Sequence, residues 1–316
     1  MLKAIADTIR KGPKGHKQDW VPRSPDPKHL SVLEKECSNP SDFDEILSKQ
    51  TLYKEYKEGR LNPYVCEHAL TKDTIVALFP DPQQVHDVPW GLWSQIVQLF
   101  YHSKPHTIFL LAHQARRHFP PYGKLVRPFH INGGYTYPCN ADCVFVFRAE
   151  DATRVLLHEL FHSNCCDSPD LHLEEKEAET EAWAELFWCG LISQGNLKTF
   201  KSLVNAQGSL IRTQNRKLLE GHHMEPGPMG FPWRYTIGKE MLWKRWGLLK
   251  DTTDRMEITD SLRLTLSVPP LSKNSLEFAP SPRFSRQGEG FLQACLARPP
   301  HNYSWDAGDE SDDDHL

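Results

Sequence analysis

Apolar residues recur at three- and four-residue spacings along most of the first 250 positions of this 316-residue chain, with Gly- and Pro-rich breaks between them. That periodicity is the mark of amphipathic helices joined by turns. It predicts a short helix over 2–10 closed by Gly12-Pro13, a linker rich in Pro, Lys and Asp over 13–27, and a helix over 28–37. A clearer helix is expected from 42 to 58, with Ser41 as N-cap and Asp44 placed for a capping box. Val65–Phe79 and Pro89–His102 read as further helices, and Thr107–Phe119 as a segment that starts extended and turns helical.

The pattern changes over 120–148, where Pro120, Pro121, Gly133, Gly134 and Pro138 separate short stretches of aromatic and β-branched residues. A small sheet is predicted there, with Asp142–Arg148 as its best strand and Leu125–Ile131 as an edge strand or hairpin arm. Helical periodicity returns near Glu150, then over Leu173–Ile192, over Leu197–Leu219 with an interruption expected near Gly208, and over Thr236–Leu248. Between the last two lies a Gly/Pro-dense loop, GHHMEPGPMGFPWRY. Beyond 250 the periodicity fades: Leu262, Leu264 and Leu266 alternate like a strand, and 268–304 is rich in Pro and Ser, a composition expected to drape over the surface or stay disordered. The predicted organisation is a basic N-terminal arm or linker over 1–40, a catalytic domain over 41–250 and a C-terminal extension with an acidic tail over 251–316.

Composition supports a globular protein, with 39% hydrophobic and 25% charged residues. No apolar run approaches the roughly 20 residues of a membrane span, and no secretory h-region is visible at the N-terminus. The net charge of −4 is uneven, because the last twelve residues carry six acidic groups. Residues 1–30 carry seven Lys/Arg against three Asp. Without interleaved aromatic residues this is a weak nucleic-acid footprint, so nucleic acid is not the expected partner, and the charged ends suit a protein partner better. The eight cysteines are scattered, which favours reduced thiols in an intracellular, cytoplasmic or nuclear setting. Cys139 and Cys143 are expected to flank a turn, and Cys165 and Cys166 to pack in a loop.

Candidate chemistry concentrates in Asp151–Ser193. His158, Glu159 and His162 form H-E-x-x-H. On a helix the two imidazoles lie four apart on one face and reach one metal ion, while Glu159 is offset to touch metal-bound water. Leu156, Leu157, Leu160 and Phe161 bury that helix, and two buried imidazoles with a carboxylate need a metal or several dedicated partners. A zinc site that keeps one position open for water needs a third protein ligand. Glu177 and Glu181, each with another glutamate four residues on, both qualify; His172, Asp167 and Asp170 have no supporting pattern.

The spacing HExxH-x18-E, ending at Glu181, resembles the gluzincin division of zinc metallopeptidases. The resemblance covers about 40 of 316 residues. It implies a zincin-like fold, α+β and predominantly helical, with a small sheet before the active-site helix. It also implies Zn2+ held by His158, His162 and Glu181, Glu185 orienting a ligand histidine, and Glu159 as general base. An oxyanion donor is implied downstream, for which Tyr235, His222 and His223 are candidates. The strand before the helix, Cys143–Phe147, would lie beside an extended peptide. A metzincin ligand set does not fit, since Cys165 and Ser168 occupy the positions needing Gly and His. The expected function is zinc-dependent hydrolysis of a peptide or protein substrate, with a non-catalytic zincin-fold assembly protein as the alternative.

Overall fold

The structure, a computed structural model, describes residues 1–38, 48–101, 104–225, 230–249 and 261–265. In chain order its elements are α1 (Leu2–Lys11), β1 (Trp20–Pro22), α2 (Pro27–Ser38), α3 (Ser48–Lys57), β2 (Tyr64–His68), β3 (Thr74–Leu78), α4 (Trp90–Phe100) and β4 (Thr107–Leu111). There follow α5 (Pro128–Ile131), β5 (Gly134–Thr136), β6 (Val144–Val146), α6 (Ala152–Ser163), α7 (Leu173–Ile192), α8 (Leu197–Glu220), α9 (Phe231–Tyr235) and α10 (Ile237–Arg245). The architecture is α+β around one six-stranded sheet of order β1-β2-β3-β4-β6-β5. Its centre, β3-β4-β6, is parallel, and the remaining pairings are antiparallel.

Strand alternation divides the core into two layers. Ile75, Ala77, Ile108, Leu110, Val144 and Val146 face α4, α6 and α7. Val76, Leu78, Phe109, Leu111, Phe145 and Phe147 face α2 and α3 on the opposite side. A sheet covered on both faces consists of continuous apolar runs, which explains the main departure from the sequence reading. Val65–Phe79 is the hairpin β2–β3 and not a helix, turning through Lys72 at φ 65°. Its run of β-branched Thr74, Ile75 and Val76 packs better in a pleat than in a helix.

Other expectations shift for equally local reasons. Thr107–Phe119 gives β4 alone, and His118 bridges to Ser261 instead of entering a helix. Leu125–Ile131 contains the short helix α5 begun by Pro128, and the edge strand is β5. α8 runs unbroken through Gly208, where a β-carbon would lie 2.2 Å from Leu249. The helix expected at 236–248 is α10, ending at Arg245, while the preceding stretch expected as loop contains the short helix α9, with Thr236 at φ −132°, ψ −85° between the two. Ser41, Asp44, Leu266, residues 268–304 and the acidic tail lie outside the described residues.

The N-terminal segment is not an arm. Ile9 is fully buried and a β-carbon on Gly190 would come 2.5 Å from it, so α1 packs closely onto α7. Trp20 pairs with His68 and places β1 in the sheet. The C-terminal extension also returns to the core: Leu262, Leu264 and Thr265 are buried, and Leu262 N–H bonds the carbonyl of Arg117 at 3.1 Å. Cys139 is bridged to Cys165, so these two are not the reduced thiols expected, whereas Cys37, Cys66, Cys143, Cys166 and Cys189 are not disulfide-bonded. Among the described residues no helix is long and apolar enough to cross a membrane.

Candidate metal centre

Every residue of α6 is buried. Asp151, in left-handed conformation at φ 60°, precedes its first turn, and Arg117 and Arg263 hold the Asp151 carboxylate. Arg154, His158 and His162 fall at four-residue steps on one stripe of the helix. On α7 the glutamates 177, 181 and 185 form a matching stripe. The helices pack antiparallel, so Arg154 meets Glu181 and Glu185, His158 meets Glu181 and Glu177, and His162 meets Glu177.

His158 Nε2 lies 3.0 Å from His162 Nε2. Glu177 Oε2 is 3.4 Å from the first nitrogen, and Glu177 Oε1 is 3.6 Å from the second. Ligand bonds of about 2.0–2.2 Å at tetrahedral angles set donor atoms roughly 3.4 Å apart. The three donors therefore fit one small divalent cation, and they are the single such group found among the described residues.

Glu181 is placed differently from the expectation. Its Oε1 stands 3.3 Å from His158 Nδ1, on the opposite side of the ring from Glu177, though not aligned for a hydrogen bond. Its Oε2 pairs with Arg154 and lies 3.8 Å from Lys239 Nζ. Glu185, expected to orient a histidine, sits deeper, with Lys239 Nζ at 3.4 Å and Thr265 Oγ1 at 3.2 Å. Side-chain exposure falls from 17% at Glu177 to 2% at Glu181 and none at Glu185. The apolar C-terminal half of α7 marks the deeper glutamates, whereas a ligand to an open site belongs at the cavity wall. Asp167 takes the second shared role: it accepts from His162 Nδ1 at 2.8 Å and from Thr180 Oγ1 at 3.1 Å.

Electrostatics follow from burial and these pairings. Burial pulls His158 down to about 4 despite its bond to Glu177. Burial alone would lower His162 as well, but hydrogen bonds to Asp167 and Glu177 outweigh it and raise that imidazole well above its ordinary value. For Glu177, burial opposes ionisation, and the bonds from His158 and His162 reverse the outcome and hold it far below the usual carboxylate range. Glu159 touches neither partner set, and burial pushes it up to about 8. An adjacent dication favours its carboxylate form.

Glu159 faces a cavity of about 570 Å³ that also reaches His158, His162, Glu177 and Tyr235. Tyr235 is the one of the three candidate oxyanion donors on this wall. His222 is exposed and meets Tyr122 edge to face, and His223 is buried with Nδ1 bonded to the Lys124 carbonyl at 2.8 Å. The opposite wall is β5, continued by Tyr137 and Pro138. Cys143–Phe147 is not the edge: its core, β6, lies between β4 and β5. At Gly134 any β-carbon would be 2.5 Å from the Phe145 carbonyl and 3.0 Å from Glu159 Oε1, so only glycine lets the edge strand pass beside that carboxylate.

Sequence reasoning missed the roles of Gly134, Arg154 and Lys239. Counting back four from His158 would have found Arg154 on the motif's own face; no local signal marks Lys239. Comparison of the chain with protein-family models, with curated proteins and with solved structures finds no match in any of the three.

Proposed function

We propose that this chain is a zinc-dependent peptidase whose metal is held by His158, His162 and Glu177. The observation that carries this reading is the convergence of two imidazole nitrogens, 3.0 Å apart, on the two oxygens of the Glu177 carboxylate, at 3.4 and 3.6 Å, with Glu159 beside them in an open cavity. Two imidazoles and a carboxylate are a donor set suited to catalytic zinc, which leaves a fourth position for water. Asp167 accepts from the outward nitrogen of His162 and sets its orientation, and the Glu181 carboxylate faces the outward nitrogen of His158 at 3.3 Å.

When bound, zinc supplies Lewis acidity, lowering the pKa of a water molecule and polarising the scissile carbonyl. With the metal bound, Glu159 would accept a proton from the attacking water and return it to the leaving amine. The phenol of Tyr235, held protonated because burial raises it well above its ordinary range, donates to the developing oxyanion. An extended peptide fits against β5, which is an edge strand of the sheet among the described residues and whose backbone supplies antiparallel pairing. This ligand set departs from the gluzincin spacing HExxH-x18-E, because the third ligand stands one turn nearer the N-terminus of α7, with fourteen residues between it and His162. An intracellular setting remains part of this reading, carried by the scattered free thiols. A non-catalytic assembly protein is the competing reading, and it gives Glu159 no task.

Zinc stoichiometry of the purified protein, measured beside peptide hydrolysis by wild type and Glu159→Gln, tests the proposal. One zinc per chain in both proteins and activity in wild type alone is the expected result. Absence of zinc sinks it, and equal activity in both proteins removes Glu159 as the base.

A further inference from the structure

Cys139 and Cys165 flank the proposed metal-binding helix α6 in sequence, 26 residues apart, with Cα atoms 4.6 Å apart and a bond between their sulfurs. Both residues are solvent-exposed. Both adopt left-handed backbone, at φ 61° and 57°, and both donate their N–H to the carbonyl of His162, at 2.9 and 3.1 Å. The bridge therefore closes around the backbone of a proposed metal ligand.

Each end of the bridge continues into the site. Tyr137 and Pro138, directly before Cys139, line the cavity wall that prolongs β5. Asp167, two residues after Cys165, holds His162 Nδ1 at 2.8 Å. Four cysteines outside the bridge, Cys37, Cys66, Cys143 and Cys189, are buried, and burial lifts the thiols of Cys66 and Cys143 to about 12, which keeps them protonated and inert. Cys166, half-buried and adjacent to the bridge, is not disulfide-bonded. Among the described residues the cysteine sulfurs nearest to solvent are thus gathered at one place, beside His162.

We propose that Cys139–Cys165 is a reversible redox site that clamps the metal centre: closed, it holds the cavity wall and the Asp167 loop against His162; opened by a dithiol reductant, it loosens both and weakens metal binding. The exchange is balanced. A reductant thiolate attacks one bridge sulfur to form a mixed disulfide and expels the other as a thiolate that takes up a proton. The second reductant thiol then closes on the first, releasing the remaining cysteine. The bridge gains two electrons and two protons, and the dithiol becomes a cyclic disulfide. Exposed bridges are the labile kind, and in a reducing compartment disulfides are characteristically transient or redox-sensing.

The inference rests on the zinc reading for one of its two measurements. The full chain is prepared oxidised, and reduced with excess dithiol that is removed anaerobically; alkylation and intact mass count the thiols. Zinc affinity by chelator competition is expected to fall about tenfold on reduction, the low end of what loss of an outer-shell partner costs, and to recover on reoxidation. Amide exchange of the metal-free protein over 137–141 and 164–168 is expected to accelerate. Cys139→Ser/Cys165→Ser should match the reduced protein and ignore reductant, while Cys166→Ser should respond as wild type does. Should the double variant fail to fold, the reduced wild type decides. Unchanged affinity and exchange in fully reduced protein, or a bridge that excess dithiol leaves intact in the native state, overturns the proposal. If neither form binds zinc, the metal reading fails and the exchange difference alone decides the clamp.

Discussion

Glu181 stands 3.3 Å from Nδ1 of His158, the ring nitrogen turned away from His162. Its neighbour one turn earlier, Glu177, holds the opposite nitrogen of the same imidazole at 3.4 Å. One ring is thus addressed by two carboxylates of one helix. If the first orients and the second ligates, they differ in what their removal does. Glu177→Ala should abolish stoichiometric zinc. Glu181→Ala should retain zinc with affinity reduced about 10–100-fold, as expected for an outer-shell partner. Metal analysis after dialysis, followed by chelator competition, separates the two; the reverse ranking would return Glu181 to the ligand set.

Asp167 offers a parallel test at the other histidine. Asp167→Asn keeps the shape and a weaker acceptor but loses the charge facing His162 Nδ1. Zinc affinity is expected to fall about tenfold or more, with little change in the melting temperature because Asp167 lies on a partly exposed loop. An affinity equal to wild type would show that the pair only caps the end of α6.

Gly134 joins the edge strand to the base. Gly134→Val places a branched side chain against the Phe145 carbonyl, Val155 and Glu159, with approaches of 2.5, 2.5 and 3.0 Å already at Cβ. Overpacking of this kind costs about 1–3 kcal/mol, and displacement of β5 removes the pairing edge. Denaturant unfolding should show the first effect. Peptide hydrolysis should drop further than the stability loss explains, and full activity would mean that peptide does not bind along β5.

Lys239 governs a pH-dependent part of stability. Burial lowers it from its usual 10.5 to about 8, against the pull of Glu185. Between those values the unfolded chain holds the proton that the folded chain has released, so its contribution to stability grows as pH rises across that window and is lost as pH falls through 8. Chemical denaturation at pH 7 and pH 10 should show this gain in wild type and not in Lys239→Met. The variant should also be less stable at pH 7, because among the described residues Glu181 and Glu185 then keep Arg154 alone as a buried cationic partner; an unchanged pH slope would mean Lys239 stays charged throughout.

The sequence by itself determined the pieces of this site. Four-residue periodicity put His158 and His162 on one face of a buried helix, and it put glutamates 177, 181 and 185 on one face of the next. The same periodicity is why it could not choose among those three: along a helix they are equivalent. Choosing requires the axial register of α7 on α6, which is decided by contacts distant in sequence. Phe161 packs on Phe187 with ring centroids 5.4 Å apart, and Trp243 Nε1 bonds the Ala182 carbonyl at 3.2 Å. That register slides Glu177 to the cavity wall and Glu181 into contact with Arg154. The edge strand was hidden for a related reason. Three residues beginning with glycine carry no alternation to read, and β5 exists because β6 offers it hydrogen bonds. The covered sheet misled in the opposite direction, since strands buried on both faces show the same unbroken apolar run as a buried helix. Local periodicity determined which residues share a face; tertiary packing decided which faces meet, and at what depth.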